Sequence, residues 1–139
     1  MPTSRATREL LASPTEVWRF LAEPRHLADW WPGLAAVEPD RRGVAAGARW
    51  RVRSRKATLF RRPAAEDTLV VTAAVPETRL AFEFVQTKVK ADLALAAAGP
   101  GRTRAELTVT GPLLLGLSRG LANDALARLH DLCQTAAAL

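Results

Sequence analysis

Polar and apolar residues change rhythm several times along the chain, and each change marks an element. From Thr3 to Leu11 they alternate roughly one by one, the period of a strand with one covered face. Ser13-Pro14-Thr15-Glu16 then reads as a helix start. Ser13 offers an oxygen to an orphan N–H of the first turn, and Glu16 closes a capping box. Pro14 takes the first helical position, where its missing donor costs nothing. Val17, Phe20 and Leu21 follow at helical spacing. Pro24 to Trp31 predicts a second short helix with Leu27 and Trp30 or Trp31 on its buried side, ended by Pro32-Gly33.

Strand periodicity then takes over. Leu34 to Glu38 predicts a short strand and Pro39 to Gly43 a turn. In Ala48 to Ser54, Ala48, Trp50, Val52 and Ser54 share one face, and Arg49, Arg51, Arg53 and Arg55 the other. Leu69 to Val75 gains β-branched weight from Val70 and Val71, and Pro76-Glu77-Thr78 reverses the chain. Arg79 to Gln86 sends Leu80, Phe82 and Phe84 inward, with Gln86 in the same phase, and Arg79, Glu83 and Val85 outward. Val89, Ala91, Leu93 and Leu95 face one way in the next strand, Gly99-Pro100-Gly101 turns, and Ala105, Leu107 and Val109 point inward on the way back from Thr103 to Thr110.

Gly111-Pro112 ends the sheet, and no proline follows from Leu113 to about Ala138. Leu114, Leu117, Leu121, Ala125, Leu129, Leu132 and Cys133 recur three or four residues apart, an amphipathic helix of about six turns. Gly116 and Gly120 weaken its start by about 1 kcal/mol each relative to alanine. The expected class is α+β: a curved antiparallel sheet of about seven strands wrapped around a long C-terminal helix, with two short helices after the first strand. At 139 residues this fits one domain over 1–139.

Composition narrows the setting. With 48% hydrophobic and 24% charged residues the chain can build a core, so disorder is not its theme. Cys133 is the single cysteine, which leaves no intramolecular disulfide and suits a reducing cytoplasm. No run of about 18 apolar residues is present, so no membrane span is expected. The polar start at Met1-Pro2-Thr3-Ser4-Arg5 lacks the apolar segment of a secretory signal.

The net charge of +6 reads in two ways: an acidic partner, or an arginine- and alanine-rich composition of the kind GC-rich codons produce. Arg41, Arg42, Arg49, Arg51, Arg53, Arg55, Lys56, Arg61 and Arg62 crowd a stretch without an acid. That face is either solvated beside carboxylates such as Glu83, or a surface for an acidic partner. Nucleic acid is disfavoured, because no aromatic residue shares the outer face.

Candidate chemistry is sparse. His26, His130 and Cys133 lack the ligand spacing of a zinc site, and neither metal nor cofactor is expected. No nucleophile elbow, no phosphate loop and no tyrosine is present. Cys133 reads as a small buried hydrophobe, His130 as structural, and His26 as a surface or capping residue or part of a pocket mouth. Inward polar candidates are Ser54 and Gln86, with Asp67 and Thr103 if the strand phases hold. The apolar inward set is larger: Trp50, Val52, Leu69, Val71, Phe82, Phe84, Val89, Leu93, Leu107, Val109, Leu117 and Leu121. These residues form core alone, or core around a ligand-sized cavity that would take an apolar or aromatic molecule oriented by Ser54 or Gln86. Trp30 and Trp31 either frame its entrance or plug the open end of the sheet.

Four segments resemble the START-like, or SRPBCC, superfamily, which includes polyketide cyclase/dehydrase-type proteins. Ala12-Ser13-Pro14-Thr15-Glu16-Val17-Trp18-Arg19-Phe20-Leu21 is similar to its "A-P-x-x-x-V-W-x-x-L" opening, and Asp29-Trp30-Trp31-Pro32-Gly33 to the "x-W-x-P-G" end of the second helix. Val71 to Leu80 resembles its "V-T-x-x-x-P-x-x-R-L" hairpin, and Ala125 to Leu132 its C-terminal "x-L-x-x-L-K-x-L", with His130 near the usual lysine. The resemblance implies the helix-grip fold and the binding or carrying of a small hydrophobic molecule. A cyclase or dehydrase activity is the alternative, and an interaction module using the basic strand face is a third. Fold-level likeness does not choose among them.

Overall fold

A computed structural model describes residues 3–55, 66–112 and 120–138. In chain order the elements are β1 (Thr3–Leu10), α1 (Pro14–Leu21), a 3-10 turn (Pro24–His26), α2 (Leu27–Trp30), β2 (Leu34–Glu38), β3 (Arg49–Ser54), β4 (Glu66–Val75), β5 (Arg79–Phe84), β6 (Lys90–Ala97), β7 (Thr103–Thr110) and α3 (Leu121–Ala138). All strand pairs are antiparallel, in the order β1-β7-β6-β5-β4-β3-β2. The first and last strands of the chain's sheet are thus neighbours, and β2 ends the other side. This is the curved antiparallel sheet with a C-terminal helix that the period changes predict, and the helix-grip arrangement that the resemblance implies.

Local chemistry accounts for the element ends. Ser13 accepts from the Glu16 N–H at 3.2 Å, the N-cap half of a capping box, and its hydroxyl meets the Glu16 carboxylate at 3.1 Å. The segment expected as one second helix is split into the 3-10 turn and the single turn of α2. Here His26 Nδ1 lies 2.8 Å from the Phe20 carbonyl, and its ring stacks on Phe20 at 4.2 Å. A carbonyl only accepts, so Nδ1 carries the proton and the ring staples this turn to the end of α1. The last helix is described from Leu121, and the expected turns at 113–119, with Leu114 and Leu117, lie outside the described residues.

Across the sheet the inward residues fall into rows set by register. Trp50, Leu69 and Phe84 make one row; Val71, Phe82, Ala91, Val109 and Ser4 the next; Leu80, Leu93, Leu107 and Ala6 a third. α3 lies closest to β1 and β7. Its buried Ala122, Ala125, Leu126, Leu129 and Cys133 form one stripe, as amphipathic spacing requires. The buried Ser4 hydroxyl accepts from the Ala122 N–H at 3.2 Å, so the first strand caps the last helix. Thr103, fully buried, donates to the Ala12 carbonyl at 2.7 Å and fixes the corner where β1 gives way to α1.

Candidate ligand site

The space between sheet and α3 is walled by two kinds of side chain. Beneath α3, the β6, β7 and β1 rows are aliphatic. Around Trp30 and Trp31, the inward side of β3, β4 and β5 carries the rings of Trp50, Phe82 and Phe84 among Val52, Leu69, Val71 and Leu80. Trp31, directly after α2, sets its ring 5.3 Å from Phe82 and 5.7 Å from Phe84, and Trp30 meets it edge-on at 5.8 Å. Phe82 and Phe84 are themselves T-shaped at 5.7 Å. Such edge-to-face pairs contribute about 0.5–1.5 kcal/mol each beyond area burial. Trp50 on the same wall donates its indole N–H to the Gly43 carbonyl at 2.9 Å, so its polar end is satisfied.

The structure brings most of the expected lining together. Trp30, Trp31, Trp50, Val52, Leu69, Val71, Phe82, Phe84, Leu93 and Leu107 are all buried, none more than 6% exposed. Leu121 is partly buried against the same core, and Leu117 lies outside the described residues. Trp31 is packed into the core against Phe82 and Phe84.

The polar candidates fare differently. Ser54 is half-buried at the end of β3, opposite Leu34. Gln86 is not inward: β5 ends at Phe84, and Gln86 stands exposed in the turn that follows. Asp67 is the cause. Its carboxylate accepts from the N–H groups of Gln86 at 2.8 Å, Thr87 at 3.3 Å and Thr68 at 2.7 Å, which pulls the chain out of strand geometry. Asp67 is thereby a turn clamp, and Thr103 is a structural donor.

The basic face also differs from expectation. Its carboxylate partner is Glu38, 3.6 Å from Arg51, and not Glu83. Val70 separates Arg49 from Glu83 in the register of β3, β4 and β5. Arg42 donates to the Gly47 carbonyl at 3.4 Å. Arg55 binds backbone twice: its N–H reaches the Gly33 carbonyl at 2.8 Å, and its Nε the Leu34 carbonyl at 3.3 Å. Sequence reasoning placed Arg55 with the solvated stripe, and no one-dimensional pattern signals that grip.

Two further hollows are present. A groove of about 300 Å³ between α1, the 3-10 turn and α3 is lined by Ala12, Glu16, Arg19, Phe20, His26 and Cys133. Burial, and then the Glu16 carboxylate, push the Cys133 thiol up to about 11, so it is a poor nucleophile near neutrality. A shallow groove of about 600 Å³ on the solvent side of the sheet carries the Arg79–Asp92 pair, bound at 2.7 Å, beside Arg5, Lys90 and threonine hydroxyls. Arg5 and Arg79 are both ion-paired, and Ala81, Phe82 and Ala91 supply the apolar part of its floor. Among the described residues no group of three His, Cys, Asp or Glu side chains is placed to hold a metal. No helix among them is long and apolar enough to cross a membrane.

A family model described as "Polyketide cyclase / dehydrase and lipid transport" matches residues 1–134. The chain belongs to this family. Several solved structures share the architecture. The protein XoxI from Bacillus cereus is 13% identical with a TM-score of 0.74, covering 99% of both chains. NE0264 from Nitrosomonas europaea is 16% identical at 0.72, covering 99% of this chain and 97% of its own. Ara h 8.0201 is 11% identical at 0.65, over 96% of this chain and 98% of its own. At these identities the likeness shows the fold. No curated protein matches the sequence.

Proposed function

We propose that this protein binds or carries a small hydrophobic molecule, lipid-, polyketide- or aromatic-like, in the trough between the sheet and α3, at its aromatic end. One observation carries the reading. The described inward positions of β3 to β6 are apolar except Ser54 and Asp67 at one rim, and Asp67 is occupied by backbone N–H groups. A wall of that kind excludes charged substrates and rewards apolar surface at about 25 cal/mol per Å² buried. Trp31 holds the place that a ligand would take, and it moves aside when one enters. The family's description, which includes lipid transport, agrees.

A cyclase or dehydrase reading needs at least two convergent polar groups in the pocket; of the candidates, Gln86 stands in an exposed turn, and Asp67 and Thr103 are engaged with backbone. The basic face supports a second, separate reading: an acidic partner on the outer side of β3. Arg41, Arg49 and Arg53 are exposed and make no ion pair among the described residues, while Arg51 meets Glu38. Binding there would weaken steeply with salt.

The trough reading is tested by melting the protein against a panel of hydrophobic compounds. A ligand that binds the folded state at a hundredfold excess over its dissociation constant stabilises it by about 2.7 kcal/mol, a shift of several degrees. A melting temperature unmoved by every compound contradicts the proposal.

A further inference from the structure

We propose that Arg55 marks the mouth of the trough and that the ligand is an amphiphile, with an apolar body inside and a carboxylate or phosphate head held by the Arg55 guanidinium at the rim. The inference rests on the trough reading above and narrows its ligand class.

The argument begins with the strap that carries the plug. Trp31 is joined to β2 by Pro32-Gly33, and Gly33 takes φ +86°, a turn conformation that residues with a Cβ rarely adopt. The Leu34 N–H reaches back to the Trp31 carbonyl at 3.4 Å. Arg55 holds this strap through its backbone N–H on Gly33 and its Nε on Leu34. One short run of backbone therefore carries the buried indole of Trp31 and is bound by the exposed side chain of Arg55.

That anchoring leaves a defined recognition group. With Nε tied to a carbonyl, the side chain is positioned, and the residue is exposed. A guanidinium is the planar fork that matches two oxygens of a carboxylate or phosphate. No carboxylate pairs with Arg55 among the described residues, as with Arg41, Arg49 and Arg53, but of these Arg55 alone is tied through its side chain to the strap that carries Trp31. The apolar rows inside cannot accept an ionised head, because burying an unpaired charge is prohibitive. At the rim the head keeps its water and gains Arg55, while the apolar body displaces Trp31 from Phe82 and Phe84.

The test titrates the full-length protein with decanoate, decyl phosphate and 1-decanol, which share a chain and differ in head. The wild type should bind both anions about tenfold more tightly than the alcohol. Arg55→Gln should bring all three to the alcohol's affinity. Arg55→Lys, which keeps the charge and loses the fork, should fall between. Arg53→Gln, on the outer strand face, should leave the preference intact. Equal binding of anions and alcohol by the wild type overturns the head-group assignment and leaves the trough reading standing. So does an equal loss in Arg53→Gln and Arg55→Gln, which would mean diffuse charge. Binding of none of the three overturns both.

Discussion

The two ends of the trough are built on opposite plans. Under α3, small and aliphatic side chains interlock: Ala122, Ala125, Leu126 and Leu129 meet the β7 and β1 rows of Ala105, Leu107 and Leu10, all essentially without exposure. Under α2, four large rings fill the same kind of space, and the cover is a four-residue helix and a glycine turn held by a few backbone hydrogen bonds. Close packing over a long helix resists local opening, whereas a short strap with few buried bonds opens at lower cost. The first plan holds the fold together, and the second is the end at which the proposed guest would replace the indole.

That contrast breaks most visibly in the core. Leu129→Ala should cost about 2–5 kcal/mol of unfolding free energy by denaturant titration and leave ligand affinity nearly unchanged. Trp31→Ala should cost about 3–5 kcal/mol, but a bound apolar compound should restore part of it because the guest refills the space. If Trp31→Ala proves too unstable to purify, Trp31→Leu asks the same question with a smaller void. Equal responses of the two sites to ligand would erase the distinction between the ends.

Smaller effects sharpen it. Asp67→Ala removes the acceptor for three backbone N–H groups at the rim of the aromatic end, and should cost about 1–3 kcal/mol in the same titration. Ser4→Ala uncaps the first turn of α3 at the aliphatic end and should cost about 1 kcal/mol.

Acid should act on the loop leading into β3. The Asp40 carboxylate accepts from the Arg49 N–H at 2.9 Å and the Arg42 N–H at 3.0 Å, and these bonds, the Arg49 one foremost, hold its pKa below 3.8. A depressed pKa contributes stability above the unfolded value, and that stability is lost as pH falls through the folded one. Melting temperature followed from about pH 5 to about pH 2 should therefore fall less in Asp40→Asn than in the wild type.

How much of this was legible in one dimension follows from the physics of each signal. Period-2 alternation identified the inward sets of β3, β5, β6 and β7, because one face of each strand is dry and the other wet. Ser13, Pro14 and Glu16 announced α1, because a capping box is local. Gln86 was misplaced because alternation was carried past Phe84, where Asp67, 19 residues earlier, ends the strand. Ser4 capping Ala122 across 118 residues, and Arg55 gripping Leu34 across 21, leave no periodic trace. That Trp31 packs on Phe82 and Phe84 depends on where a glycine turn aims one ring, which no alternation records.

The indole N–H signals of the four tryptophans, Trp18, Trp30, Trp31 and Trp50, followed by NMR during titration with a hydrophobic compound, test the central claim most directly. The account predicts that the Trp31 signal moves most, Trp30 and Trp50 follow, and Trp18 on α1 stays still. A compound that binds while the Trp31 signal remains in place, with shifts confined to the solvent face of the sheet, would contradict it.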